Sequence, residues 1–245
     1  NALPPEQSAT GPLEVLRFSP EGEIPVAPFI SITFNQPMVP VTTLKDLSVN
    51  EVPVKVVPEL NGTWRWLGTK TLTFNYDSAL IDRLPKSTKY TVTVPAGTKS
   101  QTGGTLDSAV EWTFTTPAVK ITSKYPEGIS QPQNPLIYVS FDQRVDPAAI
   151  LKVTSLTAGG KPVAIRLSTE SDWKNNSVIS ARVKNSIEGR WIVFQPLEIL
   201  PLDTSITVSI GPNTPSAEGP LTSNDVLSFS FRTYAPLKVE DHGCS

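Results

Sequence analysis

Apolar and polar residues alternate over short stretches of the chain, a pattern that predicts β-strands with one buried face. In ISITF, for example, Ile30, Ile32 and Phe34 share one face and polar residues occupy the other. From Leu13 onward, similar runs recur at intervals of roughly ten residues, bounded by proline and glycine. They include LEVLRF, ISITF, VPVKVVPEL, TLTFNY, YTVTV and EWTFTT. The pattern predicts an all-β chain.

The same order of strand and turn sequences occurs twice. SPEG at 19–22 returns as YPEG at 125–128, and ISITFNQ at 30–36 returns as IYVSFDQ at 137–143. The distance between the copies grows in the middle of the unit, which predicts an insertion in the second copy at 167–189. Units of about 100 residues built from such strands are typical of immunoglobulin-like β-sandwiches, in which two sheets bury their apolar faces against each other.

The repeat predicts two tandem immunoglobulin-like β-sandwich domains. We expect a flexible N-terminal lead at 1–11, a first sandwich at 12–117 and a second at 118–234. Residues 235–245 carry PLKVEDHGC, which is similar to the opening of both units. They are predicted to be the start of a further domain or a tail.

Composition agrees with this fold and argues against two kinds of partner. The 24 prolines and 14 glycines indicate many turns and few long helices. The net charge is −2 and the basic residues are scattered, so binding to nucleic acid is not expected. No run of about 18 or more apolar residues occurs, so we expect no direct insertion into a membrane.

Residues that commonly carry catalysis or bind metals are sparse. The only histidine, His242, and the only cysteine, Cys244, stand near the C-terminal end, which argues against triad chemistry and zinc sites. Asp142 and Asp146 flank a strand end as calcium ligands could, although turn carboxylates are the favoured interpretation. Nothing in the sequence brings two acidic residues together as a hydrolytic pair. We predict no enzymatic activity, no cofactor and no metal.

Two tryptophans are the best candidates for a binding surface. In GTWRWLGTKTLTF, Trp64 and Trp66 share one strand face and could form an aromatic contact surface for a sugar. Packing in the core is the favoured alternative, because the corresponding region of the second unit supplies Trp191 before Phe194.

Taken in order, these motifs resemble bacterial Ig-like modules of S-layer proteins, of adhesins and, more closely, of the N-terminal region of bacterial alpha-2-macroglobulins. The resemblance is carried by W-x-W followed by TLTF, LPKSTKYTVTVPAG and TFTT in the first unit. In the second unit it is carried by YPEGI, FDQRVDP, WIVFQPLEILP and FSFRTY. It implies that both sandwiches are macroglobulin-like domains.

The resemblance also implies a large exported protein that traps proteases after they cut a bait region, in many members with the help of a Cys-Gln thioester. Here Cys244 is followed by Ser245, so the thioester motif is not present. We therefore expect a non-catalytic scaffold segment of a broad-spectrum protease inhibitor in the periplasm or cell envelope. Its expected partners are neighbouring domains and, through the full-length protein, host or competitor proteases. Two alternatives stay open: spacer domains of an adhesin or S-layer protein, and an accessory carbohydrate-binding segment that uses Trp64 and Trp66.

Overall fold

A computed structural model describes residues 11–41, 52–77 and 83–237. The chain divides into two compact units, Asn1–Pro117 and Ala118–Ser245. Most of the predicted lead and most of the predicted tail, including His242 and Cys244, lie outside the described residues.

The first unit consists of two four-stranded sheets, one with the order β1-β3-β6-β5 and the other with the order β2-β8-β7-β4. Neighbouring strands are antiparallel except β2 and β8, which are parallel. The strands are β1 (Val15–Ser19), β2 (Gly22–Glu23), β3 (Phe29–Phe34), β4 (Lys55–Val57), β5 (Gly62–Leu67), β6 (Thr71–Tyr76), β7 (Lys89–Val94) and β8 (Val110–Thr115).

The second unit repeats this strand order in the sheets β9-β11-β15-β14 and β10-β17-β16-β12-β13, with β13 added at one edge. Its strands are β9 (Ile121–Tyr125), β10 (Gly128–Gln131), β11 (Ile137–Phe141), β12 (Thr154–Ala158), β13 (Lys161–Val163), β14 (Ile165–Leu167), β15 (Trp191–Pro196), β16 (Ser205–Ile210) and β17 (Leu227–Thr233). Its helices are α1 (Pro147–Lys152), α2 (Glu170–Trp173) and α3 (Ser177–Lys184). The predicted all-β, immunoglobulin-like sandwich fold is confirmed. The two copies of the repeated sequence fold with the same strand order.

Each unit buries the strand faces that the alternation predicts. Ile30, Ile32 and Phe34 of β3 have 0% of their surface exposed and pack with Val92 and with other residues of the opposite sheet. Burial of side chains of this size contributes roughly 1.5–3 kcal/mol each. The two units have separate hydrophobic cores, so each has the packing of a domain in its own right.

The predicted insertion at 167–189 is confirmed, and it contains two helices. In the first unit β5 and β6 are joined by the short turn at 68–70, whereas in the second unit β14 and β15 are joined by residues that form α2 and α3. The Asn176 side chain accepts hydrogen bonds from the backbone amides of Val178 and Ile179 and thereby caps α3. These helices are not predicted from the sequence, because they are short and are stabilised by caps and packing.

Candidate functional site

Trp64 and Trp66 do not form an exposed contact surface, so that prediction is wrong. Only 1% of Trp64 and 6% of Trp66 is exposed, because both rings point between the two sheets of the first unit. Trp64 lies opposite Phe74 on β6 with ring centroids 5.1 Å apart. A cavity of about 430 Å³ opens beside these two rings, but it presents no flat aromatic face on which a sugar could stack.

Trp191, which the sequence comparison places in the corresponding region of the second unit, lies on a different strand of the repeat from Trp64 and Trp66. Trp191 begins β15, the counterpart of β6, whereas Trp64 and Trp66 lie on β5. In the second unit Leu167 stands opposite Phe194, as Trp64 stands opposite Phe74 in the first. The core interpretation of the tryptophans is correct, but for reasons of strand position that a linear comparison does not reveal.

Asn35 and Gln36, which follow β3, have a structural role: their side chains hydrogen-bond the end of this strand to the segment before β1 and to the loop at 95–106. The Asn35 side chain accepts a hydrogen bond from the Glu14 backbone amide, at 2.9 Å, and thereby ties the end of β3 to the segment that leads into β1. Gln36 is 1% exposed, and its Oε1 accepts hydrogen bonds from Ser100 at 2.6 Å and Thr102 at 2.8 Å. A Cβ atom at Gly104 would lie 2.3 Å from the same oxygen, so a larger residue there would have to displace the Gln36 amide.

In the second unit, Asp142 and Gln143 follow β11 and make equivalent hydrogen bonds. The Asp142 carboxylate accepts a hydrogen bond from the Lys120 backbone amide at 2.9 Å, as Asn35 does from Glu14. Gln143 is fully buried and accepts a hydrogen bond from Ser216 at 2.6 Å. Asp146 caps α1 by accepting a hydrogen bond from the Ala148 amide at 3.0 Å. These contacts give both carboxylates structural roles at the exit of β11.

The second unit carries an additional hydrophobic cluster on the outer face of the sheet that contains β11. Tyr138 points away from the sandwich core, because its neighbours Ile137 and Val139 point into it. It is nevertheless only 3% exposed, since Ile179 of α3 packs on this face together with Tyr138 and Val193. The helical insertion therefore covers an outer sheet face, whereas the corresponding connection in the first unit is the short turn at 68–70.

A groove runs along α3, and we call it the α3 groove. Its floor is formed by residues of β9 and β11, including Ser123, Tyr138 and Ser140. One face of α3, with Val178 and Arg182, forms a wall. The groove has a volume of about 770 Å³ and also includes Ala181, Asn185, Ile187 and Arg190. Polar, cationic and apolar side chains converge in this groove.

The guanidinium group of Arg182 is held in a fixed position in the α3 groove. It lies 5.0 Å from the ring centroid of Tyr125 and 5.9 Å from that of Tyr138. Its Nη1 is 3.4 Å from the Ser123 hydroxyl oxygen. Cation–π contacts of this kind favour a cation that is partly shielded from water. Arg182 is not recognisable as a site residue from the sequence, because the residues around it come from distant parts of the chain.

A second cavity, of about 620 Å³, lies on the other side of the insertion. It is lined by Trp173 and Trp191, whose rings meet edge to face with centroids 5.8 Å apart. The Ser168 hydroxyl at this cavity makes no hydrogen bond among the described residues. This cavity is more apolar than the α3 groove and borders the start of α2.

Helix α2 is anchored by an ion pair between Arg166 on β14 and Asp172. The two guanidinium nitrogens lie 2.9 Å and 3.0 Å from the two carboxylate oxygens, an end-on bidentate arrangement. The Thr169 amide donates to the same carboxylate at 2.7 Å and closes the first turn of α2. The hydrogen bonds from Arg166, followed by those from Thr169, hold the pKa of Asp172 well below its usual value of 3.8.

We expect the helical insertion to loosen in acid through Asp172. Because its pKa is lowered in the folded state, its stabilising contribution is complete above the ordinary value of 3.8 and is lost as the pH falls below that value. Hydrogen–deuterium exchange of residues 168–190, corrected for the intrinsic effect of pH, should increase from pH 7 to about pH 3. Asp172→Asn should already exchange faster at pH 7 and show a weaker response to acid.

Glu188→Gln is the matched control, because Glu188 is an exposed carboxylate in the same segment. It should behave like the unmodified chain. Equal protection of the insertion in Asp172→Asn and Glu188→Gln would contradict an anchoring role for the ion pair.

The described residues contain neither a candidate metal cluster nor a helix suited to span a membrane. No group of three or more His, Cys, Asp or Glu residues is placed to hold a metal ion within 11–41, 52–77 and 83–237. In that part of the chain, no helix has the length and apolar character needed to cross a membrane.

The class of the first unit is defined by its topology and by a family match. Residues 9–116 match the family model of the bacterial Ig-like domain, in agreement with the sandwich topology of this unit. Over both units, the chain is similar to the alpha-2-macroglobulin homolog of the cyanobacterium Nostoc sp. (strain PCC 7120). The two are 23% identical over 237 residues, which cover 91% of this chain and 12% of that protein. The resemblance to bacterial alpha-2-macroglobulins is confirmed, at low sequence identity.

A second curated relative comes from a eukaryote. Circularly permutated Ras protein 2 of Dictyostelium discoideum is 29% identical over 181 residues, which cover 71% of this chain and 4% of that protein. The chain thus spans only a small part of each of these two relatives, 4% of one and 12% of the other.

Solved structures give weaker likenesses. The crystal structure of Escherichia coli alpha-2-macroglobulin spanning domains MG0-NIE-MG1 is 17% identical, with a TM-score of 0.32, and the alignment covers 93% of this chain and 73% of that one. L,D-transpeptidase 3 of Mycobacterium tuberculosis is 16% identical, with a TM-score of 0.27 and coverage of 64% and 57%. The fold assignment therefore rests on the strand topology and on the family match.

Proposed function

We propose that this chain is a non-catalytic scaffold segment of a bacterial alpha-2-macroglobulin-like protease inhibitor. The observation that carries the proposal is that the sequence similarity to the Nostoc homolog extends over 91% of the chain and thus through both sandwiches. A match confined to one sandwich would be expected of any widely used Ig-like module. Similarity through two consecutive units favours a shared pair of domains.

The packing of the chain suits this role. Each unit encloses its own hydrophobic core. A buried glutamine, Gln36 in the first unit and Gln143 in the second, hydrogen-bonds the end of a core strand to a distant loop. Domains with separate cores can keep their fold while a larger protein changes shape around them. In a protease trap, such domains would carry the parts that are cut and rearranged.

The proposal includes a location and partners. An inhibitor of this kind acts on proteases outside the cytoplasm, so we place the protein in the periplasm or cell envelope. The direct partners of this segment are then neighbouring domains, and proteases of a host or a competitor bind through the full-length protein.

Size-exclusion chromatography with a protease tests the scaffold role. The full-length protein encoded by the gene, incubated with trypsin, should be cut and should elute with trypsin bound to it. The 245-residue chain alone should neither inhibit trypsin nor elute with it. Stoichiometric inhibition by this chain alone would contradict the scaffold role.

An Ig-like spacer of an adhesin or S-layer protein is the second candidate, and the match of residues 9–116 to the bacterial Ig-like family favours it. A full-length protein that retains no protease but attaches cells to a surface would support the spacer and overturn the inhibitor.

A further inference from the structure

We propose that the α3 groove binds a short acidic segment of a partner polypeptide, with a carboxylate beside Arg182 and an aliphatic side chain at the groove's rim. The inference is independent of the protease-trap proposal, because it rests on the surface of the second unit alone. It begins from the helical insertion, which has no equivalent in the tight β5–β6 turn of the first unit. The groove is thus not a general consequence of the Ig-like fold.

The charges that line the groove favour an anion. Arg182 and Arg190 both contribute to its lining. The carboxylate that lines the groove, Asp142, accepts a hydrogen bond from the Lys120 backbone amide at 2.9 Å and thereby holds the end of β11. Neither Arg182 nor Arg190 forms a salt bridge with another described residue. Two arginines and one carboxylate line the groove, so its net charge is positive and its potential attracts an anion.

Arg182 is positioned for a bidentate partner, and Arg190 adds charge to the groove. Arg182 is fixed by the rings of Tyr125 and Tyr138, so little conformational freedom is lost when its fork meets a carboxylate. The Nε atom of Arg190 is buried and makes no hydrogen bond to a described residue. The Arg190 side chain is half-buried and lines the groove, so it adds a second positive charge to the site that Arg182 occupies.

The rim of the groove carries exposed aliphatic side chains, which favour a ligand with an apolar group. Val178 is 42% exposed on the α3 wall, and Ile187 is 58% exposed just beyond the helix. Exposed aliphatic side chains next to a cationic groove match a ligand in which an aliphatic residue adjoins an acidic one. The hydroxyl groups of Ser123 and Ser140 on the floor can bond to a peptide backbone. A volume of about 770 Å³ holds several residues of an extended segment rather than a single carboxylate.

Fluorescence anisotropy with two labelled peptides tests the proposal on the full chain. The acidic probe is SELDELS, and its uncharged counterpart is SQLNQLS. We expect the acidic probe to bind saturably and at least about tenfold more tightly than the amide probe, because charge-assisted hydrogen bonds carry that difference. Binding should weaken as salt is raised from about 50 mM to about 500 mM, since salt screens the attraction.

Substitutions then locate the site. Arg182→Gln and Arg190→Gln should each weaken binding of the acidic probe about tenfold. Arg182→Lys should retain part of the affinity, because it keeps the charge and loses the fork. Arg65→Gln is the matched control, since Arg65 is an exposed arginine on the first unit, and it should leave binding unchanged.

A second variant keeps the test independent of packing around the arginines. Ala181 is exposed and lines the groove, so Ala181→Glu adds a carboxylate there without removing a buried contact. It should abolish binding of the acidic probe while circular dichroism stays unchanged. Equal binding of both peptides, or undiminished binding by Arg182→Gln and Ala181→Glu, would overturn the proposal. Tighter binding of heparin than of SELDELS, with the same dependence on Arg182, would also overturn it and would assign the groove to an anionic polysaccharide.

Discussion

Trp64→Ala is expected to lower the free energy of unfolding of the first unit by about 3–5 kcal/mol, the usual cost of removing a buried aromatic ring. The Trp64 side chain is 1% exposed and packs directly opposite Phe74. A cavity of about 430 Å³ already borders this pair, so the surrounding residues cannot easily close over the lost ring. The expected loss is a large part of the total stability of a domain of this size.

Urea denaturation of the whole chain, followed by circular dichroism, measures the change. Hydrogen exchange of β3 and β6 assigns the transition to the first unit, whose sheet these two strands share with Trp64. Leu67→Ala is the matched control, because Leu67 lies on the same strand and is 55% exposed. It should change stability by less than about 0.5 kcal/mol. If both variants were equally stable, Trp64 would have to lie outside the core.

Gln36→Ala is expected to destabilise the first unit by about 2–3 kcal/mol, because it leaves buried polar groups without partners. The Gln36 side chain accepts hydrogen bonds from Ser100 and Thr102 and donates to the Pro12 carbonyl oxygen at 3.1 Å. Alanine can make none of these bonds. The segment before β1 and the loop at 95–106 should lose protection from hydrogen exchange together, since the one amide joins them.

Gln101→Ala is the control for this substitution. Gln101 is an exposed glutamine in the same loop, and its hydrogen bond to the Pro37 carbonyl oxygen is donated by its backbone amide. Its replacement should leave both stability and exchange unchanged. Exchange that increases only in the loop, with the segment before β1 still protected, would show that Gln36 does not join the two.

The repeated sequence around these glutamines shows how far a linear comparison reaches. Comparison of ISITFNQ with IYVSFDQ identifies a core strand and its exit turn, and the structure confirms both. It does not reveal that Gln36 and Gln143 are buried and hydrogen-bonded to distant loops. A polar residue after a strand is expected at the surface, and only its partners distant in sequence explain its burial.

The tryptophans illustrate a different limit. Alternation correctly places Trp64 and Trp66 on one strand face, but it cannot state whether that face meets the core or the solvent. The answer depends on which residues lie across the sheet and on the opposite sheet. Phe74 lies opposite Trp64 because β5 and β6 form a hairpin, and that register comes from the folded chain.

The sequence by itself determined the properties that depend on local order: β-strands with one apolar face, their repetition in two units, and an insertion at 167–189 in the second. Period-two alternation and turn residues encode these features within a few positions. Only the tertiary structure decided that α3 packs on an outer sheet face, and that Arg182 lies against Tyr125 and Tyr138. Those contacts join residues far apart in the chain, and they arise when the helix buries its apolar side against the sheet.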